Sequence, residues 1–390
     1  MTLEERAFRK ATRRLIPFLF LIYVVAYLDR VNVSFAQLQL EDDLDFTDTI
    51  FGIGAGIFSL GYVIFGVPSN LALARFGARR WLAAIMMVWG VISASMLFIE
   101  SAAGFYVLRF LLGAAEAGFF PGIILFLTWW FPERRRTPAL ALFLTAVSAA
   151  YVFGGPVSGG LLELDNFAGL DGWQWLFLIV GLPAIALVGV EPGSIGTRLR
   201  DALGSGRVWA FGMVNFVLLA AGFGLTFFVP DLVQDRTGYS DFEVGVLAAI
   251  PFGFATVAMI VASRRPGGLA GLMLTGAVGT VITAYAQSPL LLTLGITLAA
   301  VGLLAALPRF WIGPTALLGG TAAAAGIALI AVLGNLGGFV GPAFTGIAED
   351  QTGGYEMPLV TLACLLAAVG LLTGLVSARS RVAPAQPLPR

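Results

Sequence analysis

The amino-acid sequence predicts an all-α membrane protein of twelve transmembrane helices, arranged as two pseudo-symmetric six-helix bundles. Three observations predict it. The 390 residues are 58% hydrophobic and only 12% charged, with a mean hydropathy of +0.90; soluble domains carry about 25% charged residues. The apolar residues fall into runs of the ~20 that an α-helix needs to cross a bilayer. The remaining charge is sorted by sign from one connecting segment to the next.

The first span, 15–37, follows a basic stretch with Arg6, Arg9, Lys10, Arg13 and Arg14. It is too long for a cleavable signal peptide, carries Asp29 and Arg30, and lacks a small-residue cleavage site. Spans 49–72 and 81–99 flank a short turn holding Arg75, Arg79 and Arg80; spans 104–130 and 138–162 flank Arg134, Arg135 and Arg136. Span 173–190 completes the first half. The polar, Gly-rich stretch 191–206 then divides the chain near its middle, giving bundles at 1–190 and 207–380 with a short cytoplasmic linker between them. Spans 208–230, 243–263 and 268–287 follow. Residues 289–347 are nearly uncharged and too long for one helix, so breaks near Pro308, Pro314, Gly319 and Gly320 give spans 289–311 and 315–347. The last span is 356–377, and the composition of 381–390 predicts a disordered tail.

With the N-terminus inside, every Lys and Arg except Arg30, Arg109, Arg236 and Arg309 falls on a cytoplasmic segment. The positive-inside rule therefore puts both termini in the cytoplasm. The great excess of Arg over Lys and the abundant Ala and Gly suggest a GC-rich bacterial genome, hence the inner membrane of a bacterium. Formal net charge is zero, which leaves no basic face for nucleic acid. There is no His, and Cys364 is the one Cys, so an imidazole base, a cysteine cluster and an internal disulfide are excluded. No cofactor, metal or enzymatic activity is expected.

A weak internal echo supports a repeat. Gly154-Gly155-Pro156-Val157-Ser158-Gly159 lies in the fifth span of the first half and Val340-Gly341-Pro342-Ala343-Phe344-Thr345-Gly346 in the fifth span of the second. Gly and Pro are also common in membrane helices for packing reasons alone. A true repeat implies a site between the bundles at mid-membrane depth.

Few charges remain inside the spans. Asp29, Arg30, Arg109 and Glu116 lie in the first half and Arg309 in the second. Each charge at the bilayer centre costs about 2.5–3.5 kcal/mol, so these groups must pair or face a wet cavity. Arg109 and Glu116 are seven residues apart, on one helix face and ~10 Å apart along the axis. Two acids and two arginines from two helices are thus expected to converge. One reading is a static ionic clamp, which wastes energy that apolar packing would not. The other is a site for an anion coupled to protons. A guanidinium binds a carboxylate through a bidentate fork and keeps its charge; a carboxyl group in a low dielectric can exchange a proton near neutral pH.

The segments YLDRVNVSFA (27–36), VPSNLALARFGARRW (67–81), RFLLGAAEAGFFPG (109–122), WWFPERRR (129–136), GGPVSGGLL (154–162), FWIGPTALLGG (310–320) and IALIAVLGNLGGFVGP (327–342) resemble the major facilitator superfamily, in particular its anion–cation symporter branch. That branch includes bacterial hexuronate, galactonate, glucarate and tartrate carriers, sialin and vesicular glutamate transporters. The resemblance implies alternating access by a single chain, with a small organic anion and protons as partners in the lipid bilayer. By the same resemblance Arg30 would hold the substrate carboxylate, and Tyr27, Tyr62, Trp311 and Asn335 would line the cavity. Asp29 and Glu116 would carry protons, and Arg109 would pair with an acid and tune it. Arg75, Arg79 and Arg80 would gate the inner side or serve as topological anchors. The chain departs from the pattern at Ala149 and Ala150, where a polar fifth-span residue is expected, and at Arg309, which is either a second anion anchor or a cation at the cytoplasmic rim. An exporter or drug–proton antiporter of the same fold, or a receptor that does not transport, remains the alternative.

Overall fold

The computed structural model describes residues 3–130, 133–186, 205–263, 268–317 and 320–382. In chain order the helices are α1 Leu3–Leu44, α2 Asp48–Phe76, α3 Ala78–Ser95, α4 Ala102–Glu116, α5 Phe119–Trp130, α6 Glu133–Leu162 and α7 Gly172–Ala186. The second half continues with α8 Gly206–Thr226, α9 Val229–Thr237, α10 Asp241–Ser263, α11 Leu269–Tyr285, α12 Pro289–Leu317, α13 Gly320–Thr352 and α14 Glu356–Val382. Ten spans among the described residues are long and apolar enough to cross a membrane, and the shorter apolar helices Gly172–Pro183 and Leu269–Tyr285 bring the total to twelve. Many large apolar side chains are left exposed, among them Leu290, Phe98 and Val376. In water that surface would be a liability; against lipid it is the solvated one.

Local chemistry sets the helix ends. The Thr47 hydroxyl caps α2 by accepting from the Ile50 N–H at 3.3 Å, and Ser101 caps α4 through the Gly104 N–H at 3.3 Å. Gly238 ends α9 in the left-handed region that a Cβ disfavours, with its N–H on the Gln234 carbonyl at 2.7 Å. The span expected at 104–130 is two helices, broken at Ala117-Gly118, so Glu116 sits at the break. The expected breaks at Pro308 and Pro314 do not occur: both prolines lie inside α12. In a membrane, neighbouring helices and local adjustments re-satisfy the carbonyls that a proline frees. Of the other expected break residues, Gly319 lies outside the described residues, as does residue 318, and Gly320 opens α13. The linker from 187 to 204, Arg264 and Arg265, and the tail from 383 lie outside them too.

Within the first half α1 packs on α6, α2 on α4 and α3 on α7; within the second α8 packs on α13, α10 on α12, and α11 on α12 and α14. The halves meet along two pairs, α2 with α13 and α6 with α10. Both Gly-Pro segments lie on these seams. A Cβ at Gly155 would run into the Gly245 carbonyl, one at Gly159 into the Asp241 carbonyl, and one at Gly346 into the Asp48 carbonyl. The internal echo thus has a physical reason. In each half the fifth span must let the second span of the other half approach to backbone contact, and only glycine leaves room. These contacts close the molecule toward the end that carries Asp48 and Asp241.

Candidate functional site

A cavity lies between the halves, lined on one side by Tyr23, Tyr27, Arg30, Tyr62 and Phe120 and on the other by Asn215, Leu219, Phe223, Trp311 and Asn335. The five residues expected at a substrate site, Arg30, Tyr27, Tyr62, Trp311 and Asn335, therefore share one wall system although they come from four helices. Phe120 meets Trp311 edge-on at 5.8 Å between ring centroids, a contact across the two halves.

Arg30 is the charge of this cavity. Its Nη2 donates to Glu116 Oε2 at 2.9 Å, in the contact that also forms their ion pair. The guanidinium lies 5.0 Å from the Tyr27 ring centroid, 4.7 Å from Phe58 and 5.6 Å from Tyr62. Such faces stabilise a cation that has been withdrawn from water. Arg30 Nε and Glu116 Oε1 have no protein partner. The pair thus keeps one donor and one acceptor in reserve, on a cation that is 8% exposed and an acid that is fully buried.

The expected convergence of four charges is only partly realised. Successive residues on a helix point ~100° apart, so when Arg30 faces the cavity Asp29 faces α3. There the Ser93 hydroxyl donates to Asp29 Oδ1. Arg109 is fully buried and does not reach a carboxylate at ion-pair distance among the described residues. Its Nε and Nη2 donate to the Gly54 and Ala55 carbonyls of α2 at 3.3 and 3.4 Å. Glycines bring α2 and α4 into backbone contact there (a Cβ at Gly113 would meet the Phe58 carbonyl), which puts those carbonyls within its reach. Phe58 lies between the two arginines, 4.9 Å from the Arg109 guanidinium. Arg109 therefore braces α2 against α4 and does not line the cavity, with the Phe58 ring between it and Arg30.

The remaining positions lie elsewhere. Arg75 and Arg80 are exposed near the α2–α3 turn, Arg75 over Phe76 at 5.7 Å, and the Arg79 side chain lies outside the described residues. Arg309 does not line the cavity; it donates to the Ala262 carbonyl at the end of α10, where a cation meets unpaired carbonyls. Of the two readings open for Arg309, the geometry favours the rim. Asn215 and Tyr151 also line the cavity and escaped the sequence reading. Asn215 had a signal, as an amide inside the otherwise apolar run that opens the seventh span. Tyr151 sits beside Ala150, next to the missing fifth-span polar group.

At the closed end a polar network ties the halves together. Tyr355, 4% exposed, places its hydroxyl 2.5 Å from Asp231 Oδ2 and 3.1 Å from Asp48 Oδ1. Gln37 donates to Glu41 and Asp48, both at 2.7 Å, and Asp350 accepts from the Thr49 N–H at 2.9 Å. Burial and the Asp231 and Asp48 carboxylates push the Tyr355 phenol well above its usual range, so it stays a donor.

Comparison with known proteins places this architecture. The sequence model of the Major Facilitator Superfamily matches residues 19–342. A protein of Agrobacterium vitis provisionally named a tartrate transporter is 42% identical, covering 97% of this chain and 92% of its own. The quinolone resistance transporter of Acinetobacter baumannii is 35% identical over 97% of this chain and 96% of its own. A bacterial homologue of the human lysosomal transporter Spinster, solved in an inward-facing and occupied conformation, superposes with a TM-score of 0.75 at 19% identity, over 95% of this chain and 98% of that one. A polytopic chain whose two helix bundles meet at glycine seams around a charged cavity, and whose family match runs from the first span into the eleventh, is a membrane transporter and belongs to the Major Facilitator Superfamily.

Proposed function

We propose that the chain is a proton-coupled symporter that carries a small organic anion into the cytoplasm across a bacterial inner membrane. The observation that carries this reading is the Arg30–Glu116 pair on the cavity wall. While Glu116 is ionised it occupies the guanidinium. A proton on Glu116 weakens that hold and frees Arg30 for the substrate carboxylate, so proton and anion bind together. The loaded site is then nearly neutral, and the bundles 1–190 and 207–380 rock about it as one chain. The charge sidedness of the loops supports cytoplasmic termini. On this orientation the closed end is the outer one, and Arg75, Arg79 and Arg80 flank the inner gate. Asp29, against Ser93, is a second proton carrier one step removed from the cavity.

The test is uptake into proteoliposomes under an imposed pH gradient, acid outside. A carboxylate accumulates with the wild type and fails to accumulate with Arg30→Ala; unchanged accumulation with Arg30→Ala rejects the assignment. A second reading, drug export, is favoured by the similarity to the quinolone resistance transporter. It predicts efflux of a lipophilic cation that does not need Arg30, which the same vesicles loaded with such a cation would reveal.

A further inference from the structure

The cavity has two adjoining lobes. Tyr27, Val147, Leu219, Phe223 and Leu307 border both. The first lobe holds Arg30. The second runs between α6, α8, α10 and α12, where it is walled by Tyr151, Phe252, Ile296, Ala300 and Leu304. Tyr151 and Phe252 stack at 4.0 Å with 9° between their planes, forming an aromatic wall that spans the two halves. The few polar groups of this lobe are committed locally. The Tyr151 hydroxyl meets Thr226 Oγ1 at 3.4 Å, and Thr226 donates to the Gly222 carbonyl at 2.8 Å.

The charge inventory is equally narrow. Among the described residues lining the two lobes Arg30 is the one cation. A second carboxylate on the cargo would find no second cation on these walls, and an unpaired buried charge is among the most unfavourable groups a cavity can hold. A polyhydroxylated acid meets a related obstacle. Asn215 and Asn335 already use an amide hydrogen on the Ile330 and Ala331 carbonyls, at 3.1 and 2.9 Å, and the second lobe offers hydroxyl groups little in exchange for water.

We infer that the cargo is a monocarboxylate with a compact apolar or aromatic body. Its carboxylate binds Arg30, and its body fills the lobe between Tyr27, Tyr151, Phe223 and Phe252. The inference rests on the anion reading above and narrows it. It also separates this chain from tartrate, the dicarboxylate in the name of its Agrobacterium vitis relative. Val147, Phe252 and Leu304 become residues that decide specificity.

Four probes separate charge from body: benzoate, terephthalate, gluconate and tartrate. Binding to the purified full chain is read by thermal shift and by tryptophan fluorescence. Benzoate should bind at least tenfold more tightly than each of the other three. Leu304→Arg, which brings a second cation into the apolar lobe, should narrow the preference for benzoate over terephthalate. If terephthalate, tartrate or gluconate binds the wild type as tightly as benzoate, or if benzoate does not bind, the inference is overturned whatever the variant does. Proteoliposome uptake separates the two readings. Acid-driven uptake of tartrate in preference to benzoate overturns the inference and leaves symport standing. Tight benzoate binding without any acid-driven uptake overturns symport and leaves the ligand class standing.

Discussion

Replacing Glu116 by Gln should separate anion binding from proton coupling. Glu116 and the incoming carboxylate both seek the Arg30 guanidinium, which Glu116 holds through Nη2 at 2.9 Å. Two carboxylates held at opposite edges of one guanidinium stand roughly 5–6 Å apart, and at an effective dielectric constant of about 20 they repel by about 3 kcal/mol. That corresponds to about a hundredfold in affinity. In the wild type this repulsion acts when Glu116 is ionised and vanishes when it is protonated, so affinity falls as pH rises. In Glu116→Gln it is absent at every pH, while the Gln carbonyl still accepts from Arg30. The variant should therefore bind the anion with little pH dependence, about a hundredfold tighter than the wild type at alkaline pH. It should exchange anion for anion across a vesicle membrane, yet fail to accumulate it under a pH gradient. Binding titrations from acid to alkaline pH, together with exchange and gradient-driven uptake in proteoliposomes, measure all three. A variant that still accumulates substrate under the gradient, or whose affinity follows pH as the wild type's does, refutes the argument that Glu116 and the substrate share Arg30.

Arg309→Gln should leave anion affinity within twofold of wild type, because Arg309 caps the end of α10 and does not line the cavity; a tenfold loss would restore it as a second anion anchor. Gly155→Leu places a side chain where the Gly245 carbonyl now sits, so the closed end should not seal. Ser59, 1% exposed on the seam between α2 and α13, serves as reporter: Ser59→Cys in a Cys364→Ser background should be labelled by a polar thiol reagent several-fold faster with Gly155→Leu than without it. Tyr355→Phe removes the donor that joins Asp48 to Asp231 and leaves two half-buried carboxylates facing each other. The same reporter should be labelled faster in this variant, more so at alkaline than at acid pH, and equal rates would deny the tyrosine a role in holding the halves together.

The spans were legible because hydropathy and charge are written locally, and a bilayer gives each ~20-residue apolar run a single outcome. Arg30 and Glu116 were legible for a related reason. A charge in such a run is so unfavourable that it announces a partner or a cavity. Which partner was not legible. Asp29 and Arg30 are neighbours in the chain and part company in space, since one residue along a helix turns the side chain by ~100°. Arg109 shares a face with Glu116, yet a glycine-lined contact with α2 supplies carbonyls before it can reach an acid. Pro308 and Pro314 read as breaks and proved to be interior to α12, because packing decides whether a proline ends a membrane helix.

From the sequence alone came the class of molecule, the number of its crossings, the two halves and the short roster of charges that need explaining. Each of these follows from free energies of transfer between water and lipid, which depend on composition over a turn or a span. The tertiary structure alone decided that Arg30 pairs with Glu116 and not with Asp29, that both Gly-Pro segments are seams between the halves, and that the charged cavity continues into an apolar lobe with no second cation among its described walls. Those outcomes depend on helix rotation and on backbone contact between segments a hundred or more residues apart, geometry that no local pattern of residues encodes.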